Sequence, residues 1–324
     1  MKFLLILAFK VLFYLHVDCV VSSESVIFVN LLWRHGERTP VSFHYSSPYH
    51  DKKYWPEGLG QLTNTGKRQQ YELGRWLRQR YDHLLTDQYS PDLVRVHSTD
   101  VDRTLMSAQA NMAGMFPPKG RQVWETSLPW QPVPIHTAPE DVDRKSSAGD
   151  GGVIDLTYIH DTWDSLTIEK RNGYSLPKWA EPIMPRLHEI GKYRFLIETC
   201  TKKLGRLKSG LLIEEIVENL RNRTEQLSSR VANIYSGHDT TIANLLHTLG
   251  VYDGEVPPLA SCVMVELRQN HGRHFVTIFY RNSTTEDPHL LTLPGCAPAC
   301  PLDRFFSLTK PLIPEDWDKE CQES

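Results

Sequence analysis

Residues Val26 to Trp33 are apolar apart from Asn30, and the run stops abruptly at Arg34-His35-Gly36-Glu37-Arg38-Thr39-Pro40. A run this short, rich in branched residues and without alternation, reads as a strand buried on both faces, the kind found in parallel sheets. The polar cluster then falls at the strand's carboxyl end, where open α/β sheets hold their ligands. Two arginines flank one histidine there, with Gly36 read as permitting a tight turn and Pro40 as stiffening the exit. Guanidinium forks match the oxygens of a phosphate dianion, so an anionic phosphate is the partner this loop implies.

Two further strand-to-helix junctions carry similar groups. Leu93–Ser98 alternates like a strand, and Thr99/Asp100 starts a helix predicted over Val101–Met115, which puts Arg103 in its opening turn. Val231–Tyr235 reads as a strand, Ser236–Asp239 as a sharp turn carrying His238 and Asp239, and Thr240–Leu249 as the following helix. Thr63–Leu84 has helical apolar spacing, Gln131–His136 reads as a short extended piece, and Cys262–Leu267 and His274–Tyr280 read as strands joined by a hairpin through Asn270 and Gly272. Pro139–Tyr158, rich in Asp, Ser and Gly, shows no clear period and reads as loop or partly disordered. Helical patterns return after Pro185, over Arg186–Thr201 and Ser209–Leu227. Strand–helix alternation at both ends with helices between them predicts an α/β fold: a mainly parallel central sheet flanked by helices and split by a helical cap. The division is 24–136 and 229–324 for the core and 137–228 for the insertion.

The net charge of −3 implies no general attraction to nucleic acid or membranes, so anion binding has to be local. Residues 1–23, basic at Lys2, apolar through Phe3–Phe9 and Val11–Leu15 and small at Val21-Ser22-Ser23, resemble a secretory signal peptide. No second apolar segment suggests a membrane anchor. The sequons at Asn222 and Asn282 agree with a secreted or lumenal route, as N-glycosylation sites. Without Cys19, five cysteines remain: Cys200, Cys262, Cys296, Cys300 and Cys321. Cys296 and Cys300, in a Pro-rich turn, are the easiest bridge, and no Cys/His spacing suggests a metal site.

Three junctions of one parallel sheet lie on one edge and can converge. There Arg34, Arg38, Arg103 and His238 could neutralise phosphoryl oxygens without a cofactor. His35, kept neutral by neighbouring arginines, could attack phosphorus. Asp239 could protonate the leaving alkoxide and later deprotonate water, which suits an acidic optimum. Singly, each residue has a plainer use: Asp239 as an N-cap, Arg103 paired with Asp100 or Asp102, His238 in the core. Their coincidence at three junctions favours the chemical reading.

Arg34–Pro40 resembles the RHGxRxP signature of the histidine acid phosphatases, His238-Asp239 their histidine–aspartate motif, and Ser98–Thr104 the segment with their third arginine. Trp55-Pro56, Gly60–Thr63 and the tail Pro294–Trp317 are similar to the animal prostatic and lysosomal branch. The resemblance implies a phosphoglycerate-mutase-like fold, phosphate monoesters (small-molecule or protein) as substrates, His35 as nucleophile, Asp239 as proton donor and a secreted or lysosomal protein. It also implies homodimers through the segment holding Trp130 and His136. Between His136 and Trp163 the chain is shorter than that branch, so the cap is expected to be shortened and Cys321 to lack its usual partner. A further cysteine of the branch is replaced near Ile168, which implies a Cys200–Cys262 bridge instead. The alternatives are a phytase or inositol-polyphosphate phosphatase, and an inactive secreted phosphate-ligand-binding protein whose shortened cap has lost its pocket.

Overall fold

A computed structural model describes residues 25–139 and 156–322. The proposed signal peptide (1–23), with Cys19, and most of the aperiodic stretch (140–155) lie outside the described residues. Seven strands form one sheet: β1 (Ser25–Arg34), β2 (Val94–Ser98), β3 (Ala232–Gly237), β4 (Cys262–Asn270), β5 (Arg273–Arg281), β6 (His289–Leu291) and β7 (Cys300–Pro301). Their order is β2-β3-β1-β4-β5-β6, with β7 also on β5. β2, β3 and β1 run parallel, and the sheet continues antiparallel from β4 onward. The β4–β5 hairpin turns at His271 and Gly272, both with positive φ (46° and 76°), as a two-residue turn matched to the strand twist requires.

Alternating side chains of the strands feed two cores. Val29, Leu31, Trp33, Ile234 and Met264 pack under α1 (Asn64–Arg80) and α2 (Asp102–Met115). Phe28, Leu32, Tyr235 and Val263 pack under α6 (Lys202–Thr224) and α7 (Asp239–Thr248). Covered on both faces, β1 has to be apolar almost throughout, which is why its sequence does not alternate. The remaining helices are α3 (Leu156–Arg171), α4 (Ala180–Gly191), α5 (Tyr193–Ile197), α8 (Leu302–Thr309) and α9 (Trp317–Gln322). α3, α4 and α5 pack on one another, whereas α6 joins the sheet. No described helix is long and apolar enough to cross a membrane.

One buried carboxylate ties the antiparallel half to α1. Glu266 on β4 is fully buried; it accepts from Arg80 Nη2 (2.9 Å), Tyr81 Oη (2.8 Å), Arg268 Nη2 (2.7 Å) and Thr277 Oγ1 (3.2 Å). Removing it takes the shared acceptor from two guanidinium groups and two hydroxyls at a site built around negative charge. Glu266→Ala is therefore expected to lower unfolding free energy by about 3 kcal/mol or more, measured by urea titration.

Several sequence expectations need correction. Leu156–Arg171 is helical where the sequence suggested loop up to Tyr158 and no clear helix before Pro185. Its buried residues are mostly polar, His160, Thr162, Asp164, Ser165 and Glu169 beside Leu166 and Ile168, so no clean apolar stripe marks it. Pro185 lies inside α4 rather than before it. α2 begins at Asp102 with Val101 as N-cap and no side-chain cap, so Thr99 and Asp100 do not start it. Gly36 is not needed for its φ, which is not positive; a Cβ there would run into the backbone of Gly66 at the start of α1. Its smallness lets loop and helix touch. Cys296–Cys300 is a disulfide, but Cys200 and Cys262 are not bonded to each other. Cys262 is buried in the core under α1 and α2, while exposed Cys200 follows Thr199, which is bonded to His247 of α7 on the opposite face.

Candidate active site

The register of the parallel strands aligns the three junctions. Arg34 pairs with Gly237 and Ser98 with Ser236, so β1, β3 and β2 all end at one level of the sheet. The backbone beyond β1 is held closely: Arg34 N donates to Ser261 O (3.0 Å), His35 N to Gly237 O (2.9 Å) and Gly36 N to Ser107 Oγ (3.1 Å). Buried Gln70 of α1 donates to Arg34 O at 2.8 Å. The loop's polar side chains therefore stand on a rigid edge.

A cavity of about 690 Å³ opens there, and His35, Arg38, Arg103, His238 and Asp239 all line it. His35 is 2% exposed, and its Nδ1 lies 2.7 Å from Gly36 O. A carbonyl can only accept, so Nδ1 carries the hydrogen and Nε2 keeps a free lone pair. Burial first, then Arg34, Arg38, His238 and Arg103, push the imidazole pKa far below its usual range. This ring is a neutral base among cations.

His238 caps α7, its ring 5.7 Å from that of His35 and nearly perpendicular to it. Its Nε2 is 2.9 Å from Thr99 Oγ1, so this hydroxyl orients the histidine. Burial and Arg103 push its pKa down to about 3. Asp239 occupies the first turn of α7, not the N-cap; Oδ1 accepts from Thr240 N (2.8 Å) and Oδ2 pairs with Arg34 Nη2 at 2.8 Å. Burial alone would raise its pKa, but the guanidinium charges, Arg34 first and then Arg38, outweigh it and hold the carboxyl well below the carboxylate range.

The arginines differ in placement. Arg38 Nη1 donates to Asp164 Oδ2 (3.0 Å), and Arg103 has its pKa lowered to about 10, by burial and then Arg38. Arg34 stands behind the cavity, bonded to Pro257 O (2.6 Å) and Asp239, and faces a neighbouring cavity of about 460 Å³ that Arg38 also lines. The Nε atoms of Arg34, Arg38 and Arg103 are buried without a hydrogen-bond partner. Unpaired guanidinium N–H groups and crowded like charge make this pocket attractive to an anion.

Residues 25–193 match the model of the histidine phosphatase superfamily (branch 2). The chain belongs to that family. It is 39% identical to the prostatic acid phosphatase of Bos taurus, over 94% of this chain and 89% of the relative, and 36% identical to that of Homo sapiens, over 97% and 92%. It is 39% identical to the lysosomal acid phosphatase of Homo sapiens, over 93% and 81%. Among solved structures, a phytase from Citrobacter braakii superposes with a TM-score of 0.71 at 16% identity, covering 92% of this chain and 99% of that one. A Hafnia alvei phytase in complex with myo-inositol hexakis sulphate does so with 0.71 at 17%, covering 93% and 99%. The chain shares the fold of these two structures.

Two residues around the site escaped the sequence reading. Asp164 fixes Arg38, and His160 lines the main cavity; both come from α3. His160, Asp161 and Asp164 are spaced i, i+1, i+4, so one helical face carries His160 and Asp164, a signal that goes unread where no helix is expected.

Proposed function

We propose that the protein is an acid phosphatase that hydrolyses phosphate monoesters through a phosphohistidine. The observation that carries this is His35: a buried, neutral imidazole whose Nδ1–H is committed to Gly36 O, leaving Nε2 as the free base amid three arginines. In the first step Nε2 attacks phosphorus, the P–O bond to the alcohol breaks, and Asp239 gives its proton to the departing alkoxide. In the second step Asp239 takes a proton from water, which attacks phosphorus and breaks the P–N bond, releasing phosphate. Arg38, Arg103 and His238 hold the phosphoryl oxygens, with Arg34 behind them.

The test is release of phosphate from phenyl phosphate at pH 5, with the enzyme quenched in alkali during turnover. Phosphohistidine survives alkali and is lost in acid, so an acid-labile phosphoprotein is expected; an acid-stable phosphoprotein, or no hydrolysis, would refute the reading. Phytase action draws support from fold alone, and carboxylates Asp161 and Glu198 in the cavity wall disfavour a leaving group that bears further phosphates. An inactive binding protein has no need of a lone pair freed at Nε2.

Secretion or lysosomal delivery after removal of 1–23, with glycans at Asn222 near the end of α6 and Asn282 just after β5, fits this activity. So does a homodimer through the segment of Trp130 and His136, where Trp124 is 59% exposed. The insertion 137–228 then divides by role: α3 to α5 stand over the arginines as the cap, and α6 supports the sheet.

A further inference from the structure

The cavity is several times larger than a phosphate group, and the wall beyond the arginines carries polar side chains that phosphoryl transfer does not use. His160 of α3 is 4% exposed, with its ring 5.1 Å from Phe195 and 5.6 Å from Trp163. Its Nδ1 lies against the backbone of α4, since a Cβ added to Gly191 would fall 3.5 Å away, and this nitrogen has no hydrogen-bond partner. A neutral imidazole carries one hydrogen. Placing it on Nδ1 would bury an unpaired N–H, so it belongs on Nε2, which makes the ring a donor on its cavity side. Burial holds the ring neutral, with a pKa near 4.

Acceptors stand in the same wall. Asn244 of α7, 6% exposed, donates Nδ2 to Glu198 Oε2 at 2.9 Å, which fixes that carboxylate, while its own Oδ1 is unpartnered. Arg194 reaches Asp161 at 3.4 Å and Glu198 at 3.9 Å, both looser than the 2.8 Å Arg34–Asp239 pair. Lys208 Nζ stands 4.0 Å from Glu198 Oε2, so these pairings are long and leave the carboxylates lone pairs to offer a ligand.

We propose that this wall is a leaving-group subsite selecting phosphate monoesters of hydroxyl-rich alcohols, with His160 Nε2–H donating to, and Glu198 accepting from, the alcohol's hydroxyls. The proposal rests on the phosphatase reading and names its substrate class. An alkyl leaving group would strip water from His160 and Glu198 and return no hydrogen bond, the situation in which polar sites reject analogues most strongly.

The experiment compares kcat/KM for glucose 6-phosphate and n-hexyl phosphate, two primary alkyl esters, with phenyl phosphate as reference, in wild type, His160→Phe and His160→Gln. Wild type is expected to favour the sugar ester roughly tenfold or more. His160→Phe keeps the ring packing but loses roughly tenfold of that preference, and His160→Gln, with an N–H near the same place, retains most of it. A wild type that favours the hexyl ester, or a His160→Phe ratio equal to wild type, overturns the subsite. Failure to hydrolyse phenyl phosphate overturns the phosphatase reading and the subsite with it, whereas phenyl turnover without sugar preference overturns the subsite alone. If His160→Phe fails to melt cooperatively, Glu198→Ala takes its place, with the same expected fall in the ratio.

Discussion

Replacing His35 with alanine lowers kcat for phenyl phosphate by about 10⁴-fold or more and abolishes the acid-labile phosphoprotein, while KM moves only a few-fold. The split follows from the division of labour around the site. On the proposed mechanism, binding comes from the guanidinium groups of Arg38 and Arg103 and from His238; Arg38 is held by Asp164 and His238 by Thr99, not by a hydrogen bond from His35. Bond making comes from one nitrogen. Its lone pair is available because Gly36 O takes the other nitrogen's hydrogen and because burial and the arginines keep the ring uncharged. The variant keeps the charge-neutralising pocket, so a small residual hydrolysis by water remains. Steady-state kinetics together with phosphoprotein trapping check both halves. Variant rates within tenfold of wild type would mean that His35 is not the nucleophile.

The parts of this site legible in the sequence are those that interrupt an apolar run. β1 is buried on both faces, so Arg34 and His35 stand out against it, and the same contrast marks His238 and Asp239 after β3. Parallel pairing then does what the sequence only permits, bringing the ends of β2, β3 and β1 to one level. Of the antiparallel half only the β4–β5 hairpin was legible, its turn lying at His271 and Gly272 with Asn270 still in β4; β6 and β7 were not. α3 was not legible, for a physical reason. Its inner face looks onto the arginines and itself carries buried Glu169, which holds Ser47 Oγ (2.6 Å) and His44 Nε2 (3.3 Å), so polar groups are buried among Leu166 and Ile168 and blur the apolar period. The residues missed there gain their meaning from other elements: Asp164 from Arg38 of the β1 loop, and His160 from the cavity wall it shares with Glu198 and Asn244. The failed Cys200–Cys262 pairing has the same origin, because a sheet separates two positions that the chain alone does not place. Gly36 was noticed for the wrong cause, a turn, when the constraint is the closeness of α1.

Asp239→Asn separates proton donation from attack. For alkyl phosphates the variant's kcat falls by about 10²- to 10⁴-fold. For p-nitrophenyl phosphate, whose leaving group needs little protonation, it falls by less than roughly tenfold if attack remains limiting. The apparent difficulty is that Arg34 and its neighbours keep Asp239 ionised in the free site, which is the wrong state for an acid. The substrate itself resolves it. A phosphate dianion placed among Arg34, Arg38 and Arg103 offsets the positive charge that depresses the carboxyl, while the burial that favours its neutral form persists. Asp239 is thus a stronger base once substrate is bound, and it takes up a proton at acidic pH. The sign of the pH dependence follows: with an alkyl ester, wild-type kcat decreases as pH rises through the Asp239 pKa of the complex, and this limb is missing from the asparagine variant. The amide can still accept from Thr240 N, so the first turn of α7 is preserved, but it no longer holds Arg34 by charge. Arg34 is then freer to meet phosphate, and inhibition by inorganic phosphate tightens. Rate–pH profiles for both esters with phosphate inhibition constants test all three statements. An alkyl-to-aryl ratio unchanged from wild type would remove Asp239 as the acid, and weaker phosphate inhibition would show that its pairing with Arg34 does not restrain the pocket.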